Sequence, residues 1–290
     1  MAYGLFVGLT TLDCIYQVER VPTSDEKLVA HDSLLVAGGP ATNAAVTFRY
    51  LGNEAVIMGV LGTHPVSSLI GSDLTQQKVT LIDLMPNRVE PPPLSTVLVT
   101  ASTGERAVVS RNAVNCQALA NDVDESCLEN IDVVLLDGHQ MEVGIQIARW
   151  ANQRGIPVII DAGSWKQGFE ALLPLATHII ASARFLPPNC STQAAALDYL
   201  TQLGAAEVAI TQGQQPILYG QGQHRASLPV PTVTVKDTLG AGDVFHGAFC
   251  HYCLRHPFKE ALIRSAEVAA QSCQSFGTRS WMQQNNSPNS

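Results

Sequence analysis

The sequence is short of charge, of basic clusters and of long apolar runs. Only 14% of the 290 residues are charged, and 17 lysines and arginines stand against 25 acidic residues, for a formal net charge of -8. Because nucleic-acid binding depends on clustered lysine and arginine, we expect no nucleic-acid partner. No apolar stretch approaches the ~20 residues that span a bilayer, and the N-terminus lacks the basic and apolar regions of a signal peptide. We therefore expect a cytoplasmic protein without a membrane partner.

Cysteine is neither paired in number nor clustered. The seven cysteines are spread along the chain, which is typical of a reduced compartment with free thiols. Cys250 and Cys253 have a spacing found in zinc sites, but no second pair of ligands follows them. On a helix both thiols would share one apolar face, so we interpret them as core residues.

Short, continuously apolar runs rich in Val, Ile and Leu recur along the chain. They lie at residues 4–9, 55–60, 132–136, 157–160, 178–181 and 207–210. Such runs are typical of strands in a parallel sheet that is covered on both faces. Stretches with helical spacing, such as 142–154 and 192–203, lie between them. The alternation predicts an α/β fold, a three-layer α/β/α sandwich around a mostly parallel sheet.

Two segments interrupt this alternation, and we expect them to form a small β-sheet that stands off the main body as a lid. Residues 12–36 contain short alternating pieces, and residues 94–112 contain a predicted hairpin with its turn at Thr103-Gly-Glu-Arg106. Polar alternation favours strands with one solvated face. We predict one domain over residues 1–281 and a disordered tail over residues 282–290.

The strongest chemical signal is the run Asp237-Thr-Leu-Gly-Ala-Gly-Asp243, which precedes an apolar stretch predicted to be a buried helix. Gly240, Ala241 and Gly242 are small, so the backbone can approach a ligand closely, and amides at a helix start attract an anion such as a phosphoryl group. The carboxylate of Asp243 can accept a proton from an attacking hydroxyl. Spacing alone leaves open an ordinary glycine-rich turn with a capping aspartate. His246, three residues later, is interpreted as a core or surface histidine.

This run resembles the C-terminal signature of the ribokinase-like (PfkB) carbohydrate kinases, and two further motifs follow the family's order. Ala37-Gly-Gly-Pro-Ala-Thr-Asn43 resembles its N-terminal Gly-Gly motif, and Gly8-Leu-Thr-Thr-Leu-Asp13 resembles its first-strand motif. The resemblance implies a ribokinase-like fold. It also implies transfer of the γ-phosphoryl group of ATP, with Mg²⁺, to a sugar hydroxyl, with Asp243 as the base and the amides of residues 240–242 stabilising charge.

The same resemblance implies the binding residues and the assembly. The acceptor sugar is expected to contact Asp13, Gly38, Gly39, Asn43 and, from the lid hairpin, Arg106. ATP is expected to contact Thr211, Gly213, Thr238, Gly240 and Gly242, the first two in a turn similar to the family's Thr-x-Gly motif. A helix over residues 261–276 resembles the segment that flanks the adenine. A homodimer through the lid sheets is also implied.

Within the family, the chain looks closest to the ketohexokinase branch and the related sulfofructose kinases, so a ketohexose is one candidate acceptor. It departs from the family pattern at Ser182-Ala-Arg-Phe185, which stands in place of the Asn-x-x-Glu motif that helps to order magnesium. We expect no protein side chain as a dedicated metal ligand. Two alternatives stay open: a nucleoside kinase of the same fold, and a catalytically silent protein that binds sugar or nucleotide.

Overall fold

The computed structural model describes residues 1–204 and 207–283. Within these residues, the strands β1 to β13 are Tyr3–Val7, Thr11–Val18, Asp32–Gly38, Glu54–Gly59, Thr80–Asp83, Leu94–Thr100, Arg106–Ser110, Val133–Leu136, Val158–Ala162, His178–Ser182, Glu207–Gln212, Gln215–Gln221 and His224–Leu228. The helices α1 to α7 are Pro40–Tyr50, Pro65–Gln76, Met141–Gln153, Phe169–Leu172, Gln193–Gln202, Ala241–Cys253 and Phe258–Ser272.

Nine of the described strands form one sheet, in the order β13-β12-β11-β10-β9-β8-β1-β4-β5. Every pair from β11 to β5 is parallel, whereas β12 and β13 join antiparallel at one edge. Strands β8 and β9 are buried at every position, as expected for strands covered on both faces. The predicted mostly parallel sheet is confirmed.

Helices cover both faces of this sheet because successive side chains of a strand point to opposite sides. Phe6 of β1 packs into a core shared with residues of α1, α6 and α7, including Phe48 and Phe249. Its neighbours Leu5 and Val7 pack into the second core, with residues of α3, α4 and α5. These two cores make the three layers that the sequence predicts.

A second, smaller sheet has the order β3-β2-β6-β7. Strand β2 pairs antiparallel with β3 and parallel with β6, and β6 pairs antiparallel with β7. The inner face of the small sheet carries Ile15, Val97 and Val99, which pack with Leu239 and Phe276. The sheet expected to form the lid therefore lies against the signature run.

The last described residues are packed. Trp281 and Met282 are buried in a 3-10 helix, Ser280–Met282, so ordered structure reaches the start of the segment predicted to be a disordered tail. Residues 284–290 of that segment lie outside the described residues. In the part of the chain that the structure describes, no helix is both long and apolar enough to cross a membrane. All seven cysteines fall in that part and are free thiols.

Candidate active site

Gly38 and Gly39 link β3 to α1 and allow two chain segments to come very close. Gly39 has a φ of 100°, in the left-handed region that favours glycine, and a Cβ there would collide with the carbonyl of Leu9. A Cβ on Gly38 would collide with the carboxylate of Asp13. Both positions therefore need glycine, and the result is that Asp13 lies directly beside the start of α1.

Two buried oxygen atoms in this cradle lack partners. Among the described residues, Asp13 Oδ1 and Asn43 Oδ1 are buried and make no hydrogen bond. An unsatisfied buried polar atom destabilises a protein by about 1–3 kcal/mol, so such atoms are rare unless a ligand pairs with them. Hydroxyl donors of a bound molecule would satisfy both oxygens. Burial also raises the pKa of Asp13 to about 6, against the hydrogen bond from Ser95 and the positive charge of Arg279.

Helices α1 and α6 bring residues from opposite ends of the chain together. Asn43 Nδ2 donates a hydrogen bond to Asp243 Oδ2 over 2.8 Å. The helices can approach this closely because Gly247 faces the backbone of α1, where a Cβ would collide with the carbonyl of Ala44. The structure thus joins the predicted acceptor residues to the predicted base.

The signature run forms a tight turn whose shape depends on Asp237. Its Oδ1 accepts the amide of Leu239 and its Oδ2 accepts the amide of Gly277, each over 2.8 Å. Helix α7 ends at Ser272, before the predicted residue 276, and the Cys273 carbonyl accepts the amides of Lys236 and Asp237. The turn is therefore hydrogen-bonded to the segment that follows α7, both through the side chain of Asp237 and through backbone amides.

Gly240 ends this turn with a φ of 72°, and α6 starts at Ala241. Amides in the first turn of a helix have no acceptor within the helix and can bind an anion. The amide of Ala241 is also directed to the Thr238 carbonyl, over a long 3.3 Å. Gly242 and Asp243 lie in the same first turn. The predicted anion site and the predicted base are thus adjacent at one helix end.

The environment of Asp243 suits a general base. Burial and then the negative charge of Asp161 raise its pKa to about 7, while the hydrogen bond from Asn43 and the charges of His246 and Arg106 oppose this rise. A carboxylate with a pKa near neutrality accepts protons more readily than an ordinary aspartate. The residue as a whole is half-buried, so it keeps some contact with solvent.

Asp161 and His246 complete this group and were not predicted as site residues. Asp161 lies in β9, 5% exposed, and its Oδ2 is 3.5 Å from Nδ1 of His246, which is 4% exposed. The histidine is thus a core residue beside the site. One signal in the sequence pointed to Asp161: a carboxylate where a buried apolar strand ends, the edge of an α/β sheet at which ligands bind.

Arg106 connects the small sheet to the signature turn. Its Nη1 donates to the carbonyl of Thr238 over 2.6 Å and lies 3.1 Å from the Thr238 hydroxyl. Arg106 and Asp13 lie on the same face of the small sheet, because Asp13 aligns with Ser95 and Arg106 aligns with Val99, four residues on. Both predicted acceptor residues of this sheet therefore face the site.

The predicted nucleotide residues Thr211 and Gly213 lie further along the same edge of the central sheet. Thr211 is near the end of β11, and its hydroxyl lies 3.3 Å from the carbonyl of Ala181. Gly213 has a φ of 62° in the turn that follows. In the strand order, β10 and β9 separate β11 from β8 and β1. His246 connects α6 to β10, one of these two intervening strands, since its Nε2 is 3.1 Å from the carbonyl of Ile180.

The donor set does not form a resident metal site. Within residues 1–204 and 207–283, no group of three or more His, Cys, Asp or Glu side chains is placed to hold a metal ion. Ser182, at the position expected for the family's Asn-x-x-Glu motif, donates its hydroxyl to the Gly163 carbonyl over 2.7 Å. Cys250 is buried in the apolar core, as predicted.

Two further contacts shape the acceptor cradle, and no motif in the sequence indicated them. Asp137, after β8, accepts the amides of Leu9 and Ala41 over 2.8 and 3.2 Å. Arg279 bonds both the carboxylate of Asp73 and the carbonyl of Ala37, and Asp73 accepts the amide of Ala37 over 2.9 Å. Both polar groups of Ala37, just before the two glycines, are therefore fixed.

Comparison with known proteins gives three findings. A family model described as pfkB family carbohydrate kinase matches residues 1–285. Ribokinases of Arabidopsis thaliana and of Bacillus subtilis (strain 168) are each 26% identical to the chain, and the alignments cover 92% and 95% of it and 74% and 94% of those proteins. The structure of Arabidopsis thaliana ribokinase complexed with ribose and ATP superposes with a TM-score of 0.75 at 22% identity, covering 99% of this chain and all of that one.

Proposed function

Since the chain belongs to the pfkB family of carbohydrate kinases and is an ATP-dependent kinase, we propose that it phosphorylates a sugar hydroxyl with Asp243 as the general base. The observation that carries this proposal is the bond between Asn43 and Asp243. It supports one site in which unpaired acceptor atoms for a sugar adjoin a carboxylate of raised pKa.

In the proposed reaction, Asp243 takes the proton of the attacking hydroxyl as the oxygen–phosphorus bond forms. The terminal phosphoryl group of ATP is transferred, and ADP leaves with the electron pair of the broken bond. Amides of Gly240, Ala241 and Gly242 would stabilise charge on the transferred group. Asp13 and Asn43 would accept hydrogen bonds from the sugar, and Gly38 and Gly39 would lie against it.

We assign the nucleotide to the opposite side of Asp243. Thr211, Gly213, Thr238, Gly240 and Gly242 would contact the phosphates of ATP. Magnesium would enter as part of the Mg·ATP substrate and would neutralise charge on the phosphates. This fits the described residues, which offer no group of three or more His, Cys, Asp or Glu placed to hold a metal ion. Arg106 would close the small sheet over the site through Thr238 and exclude water.

Two lines of similarity bear on the identity of the acceptor. The relatives reported above are ribokinases, which favours a pentose, whereas the motifs of the sequence resemble those of ketohexokinases and sulfofructose kinases, which favours a ketohexose. A nucleoside acceptor is the second candidate, because the same family fold accommodates it. We rank sugars first because both lines of similarity name sugar kinases.

An acceptor screen tests this assignment. Purified protein with Mg·ATP is offered pentoses, ketohexoses and nucleosides, and ADP release and the phosphorylated product are measured. We expect turnover with at least one sugar and, in Asp243→Asn, a loss on the order of a thousandfold or more in kcat with acceptor binding retained. Glu267→Gln, an exposed change on α7, is the matched control. Calorimetric binding without transfer to any acceptor would instead indicate a silent sugar- or nucleotide-binding protein.

We further propose a cytoplasmic homodimer formed through the small sheets, with residues 12–36 and 94–112 as lid segments of a single domain spanning residues 1–281. The outer face of the small sheet supports the dimer, since Leu35 and Val109 are 60% and 77% exposed. Apolar side chains on such a face are stabilised when a second copy covers them. The seven free thiols support the cytoplasmic location.

A further inference from the structure

His246 is a buried histidine with an acceptor on each side of its ring. Its Nδ1 lies 2.7 Å from the carbonyl oxygen of Gly242, one turn earlier in α6. Its Nε2 lies 3.1 Å from the carbonyl oxygen of Ile180 in β10. Nδ1 is also 3.5 Å from Oδ2 of Asp161, and only 4% of the residue is exposed.

This geometry specifies the protonation of the ring. A backbone carbonyl oxygen only accepts hydrogen bonds, whereas a neutral imidazole carries a hydrogen on one nitrogen alone. Both contacts of His246 are therefore hydrogen bonds only when both nitrogens carry hydrogen, which makes the ring a cation. A buried cation requires a counter-ion, and the carboxylate of Asp161, itself 5% exposed, occupies that position.

The ion pair lies next to the base. The negative charge of Asp161 raises the pKa of Asp243 and the charge of His246 lowers it, so the two neighbours oppose each other. Burial raises the pKa of Asp161, and His246 opposes that rise too. Further charges face this group: Asp137, Lys166 and His139 act on Asp161, and Arg106 acts on Asp243.

We propose that His246 is a positioning residue that stays an imidazolium, keeps Asp161 ionised and thereby leaves Asp243 as the group that exchanges the proton. The proposal rests on the function proposed above. Without the imidazolium charge, the two neighbouring carboxyl groups would bind one proton between them, and this proton would block the base. The bond to Gly242 has a second effect, because it fixes the first turn of α6, where the phosphoryl group would bind, to strand β10.

The first test measures the protonation of the His246 ring nitrogens directly and does not depend on catalytic turnover. In the full-length protein labelled with ¹⁵N at histidine, the His246 signals are identified by their loss in His246→Asn and by their bonds to the ring protons. We expect both ring nitrogens to be protonated at pH 7.5, without any ligand. A neutral ring at that pH overturns the proposal.

The second test compares the pH dependence of kcat/KM in wild type, His246→Asn and His246→Gln. Loss of the cation should move the acidic limb upward by about one pH unit or more. Activity should then be reduced about fivefold or more at pH 7 and recover to within about threefold of wild type at pH 9. His224→Asn, an exposed histidine on β13, is the control and should leave the profile unchanged.

The outcomes separate the two proposals. An equal loss at every pH means that His246 only supports the fold, which overturns the inference and leaves the kinase function intact. If wild type transfers phosphoryl to no acceptor, the proposed function fails, and the NMR measurement still decides whether the ring is charged. If one variant does not fold, the other and the wild-type spectrum provide the result.

Discussion

The side-chain amide of Asn43 donates a 2.8 Å hydrogen bond to the carboxylate of Asp243, across 200 positions of sequence. The amide nitrogen is used by this bond, whereas Asn43 Oδ1 has no partner among the described residues. One side chain therefore orients the proposed base and offers an acceptor to the ligand. This arrangement gives Asp243 a fixed direction before any substrate arrives.

The raised pKa of Asp243 predicts that its carboxylate destabilises the fold at neutral pH. Its carboxyl has a pKa of about 7 in the folded protein against 3.8 ordinarily. The folded state thus binds the proton more tightly, and stability is lost as pH rises from about 4 to about 7. Asp243→Asn, which stays neutral and can still accept from Asn43, should therefore be more stable than wild type by about 1–4 kcal/mol above pH 7.

Urea unfolding between pH 4 and pH 9 measures this difference. The advantage of the variant should grow up to pH 7 and then stay constant. Glu267→Gln removes an exposed carboxylate and should show no such trend. A variant that is less stable than wild type at pH 8 would contradict the raised pKa.

Asp13 predicts a pH dependence of acceptor binding. Burial raises its pKa to about 6, so the carboxyl group becomes protonated as pH falls through that value. An ionised carboxylate accepts stronger hydrogen bonds from hydroxyl groups than a neutral carboxyl does. We expect Kd for the acceptor to increase about threefold to tenfold between pH 8 and pH 5. Calorimetry on wild type and Asp13→Asn checks this, since the variant should bind weakly at both pH values.

The contact between Arg106 and Thr238 predicts that this arginine holds the small sheet against the signature turn. Its guanidinium contacts two oxygens of Thr238, and a partly solvated, charge-assisted hydrogen bond contributes about 1–2 kcal/mol. In Arg106→Ala, kcat/KM for the acceptor should fall about threefold to thirtyfold. Amides of β6 and β7 should also exchange hydrogen faster. Arg111→Ala removes an exposed arginine just after β7 and is the control. Unchanged exchange in Arg106→Ala would show that the contact does not hold the sheet closed.

The outer face of the small sheet predicts the oligomeric state. Leu35 aligns with Cys14, Cys14 with Thr96, and Thr96 with Val109 on successive strands. Leu35 and Val109 therefore lie in one row across this face. A lysine in either place would put charge into the proposed interface. Wild type should sediment as a dimer and the double variant Leu35→Lys, Val109→Lys as a monomer. Leu69→Lys, an exposed leucine on α2, should stay dimeric; a wild-type monomer at micromolar concentration would refute the interface.

The close packing at Gly247 predicts that alanine substitutions at Gly247 and at Gly71 have opposite effects on stability. Gly247→Ala would place a methyl group against the Ala44 carbonyl and 2.7 Å from Thr47 Cβ, which forces α1 and α6 apart. We expect a loss of about 1–3 kcal/mol and a fall in kcat, because Asn43 and Asp243 separate. In Gly71→Ala no described atom lies within 4 Å of the new Cβ, so the helix should gain about 0.5–1 kcal/mol. Thermal unfolding of both variants checks the pair.

The main fold could be predicted from the sequence because its parallel strands are buried on both faces. That environment leaves continuous apolar runs, and the six runs correspond to β1, β4, β8, β9, β10 and β11. Strands at or next to the sheet edges leave weaker patterns. In β5 burial alternates along Thr80–Asp83, and β12 starts with two exposed residues, so neither stands out as an apolar run.

The residues of the candidate site likewise divide into those that the sequence predicts and those that only the fold brings together. Asp13, Gly38, Gly39, Asn43 and Asp243 lie in contiguous motifs, because each motif is one short stretch of chain at the proposed ligand site. Asp161 and His246 form a pair through folding alone: the position of Asp161 at the end of a strand indicates the ligand-binding edge of the sheet, but nothing in the sequence identifies His246 as its partner. Arg279 is harder still, since its partners Asp73 and Ala37 are determined only by the packing of the final segment.

That final segment has a consequence for synthesis. Ala37 and the two glycines after it are made early, yet the side chain that bonds the Ala37 carbonyl comes 242 residues later. A nascent chain therefore carries the complete Gly-Gly motif throughout most of translation without the contact from Arg279, although Asp73, which accepts the Ala37 amide, is made early. The bond from Arg279 to the Ala37 carbonyl can form only after residue 279 has left the ribosome, so this contact cannot assist the earlier steps of co-translational folding.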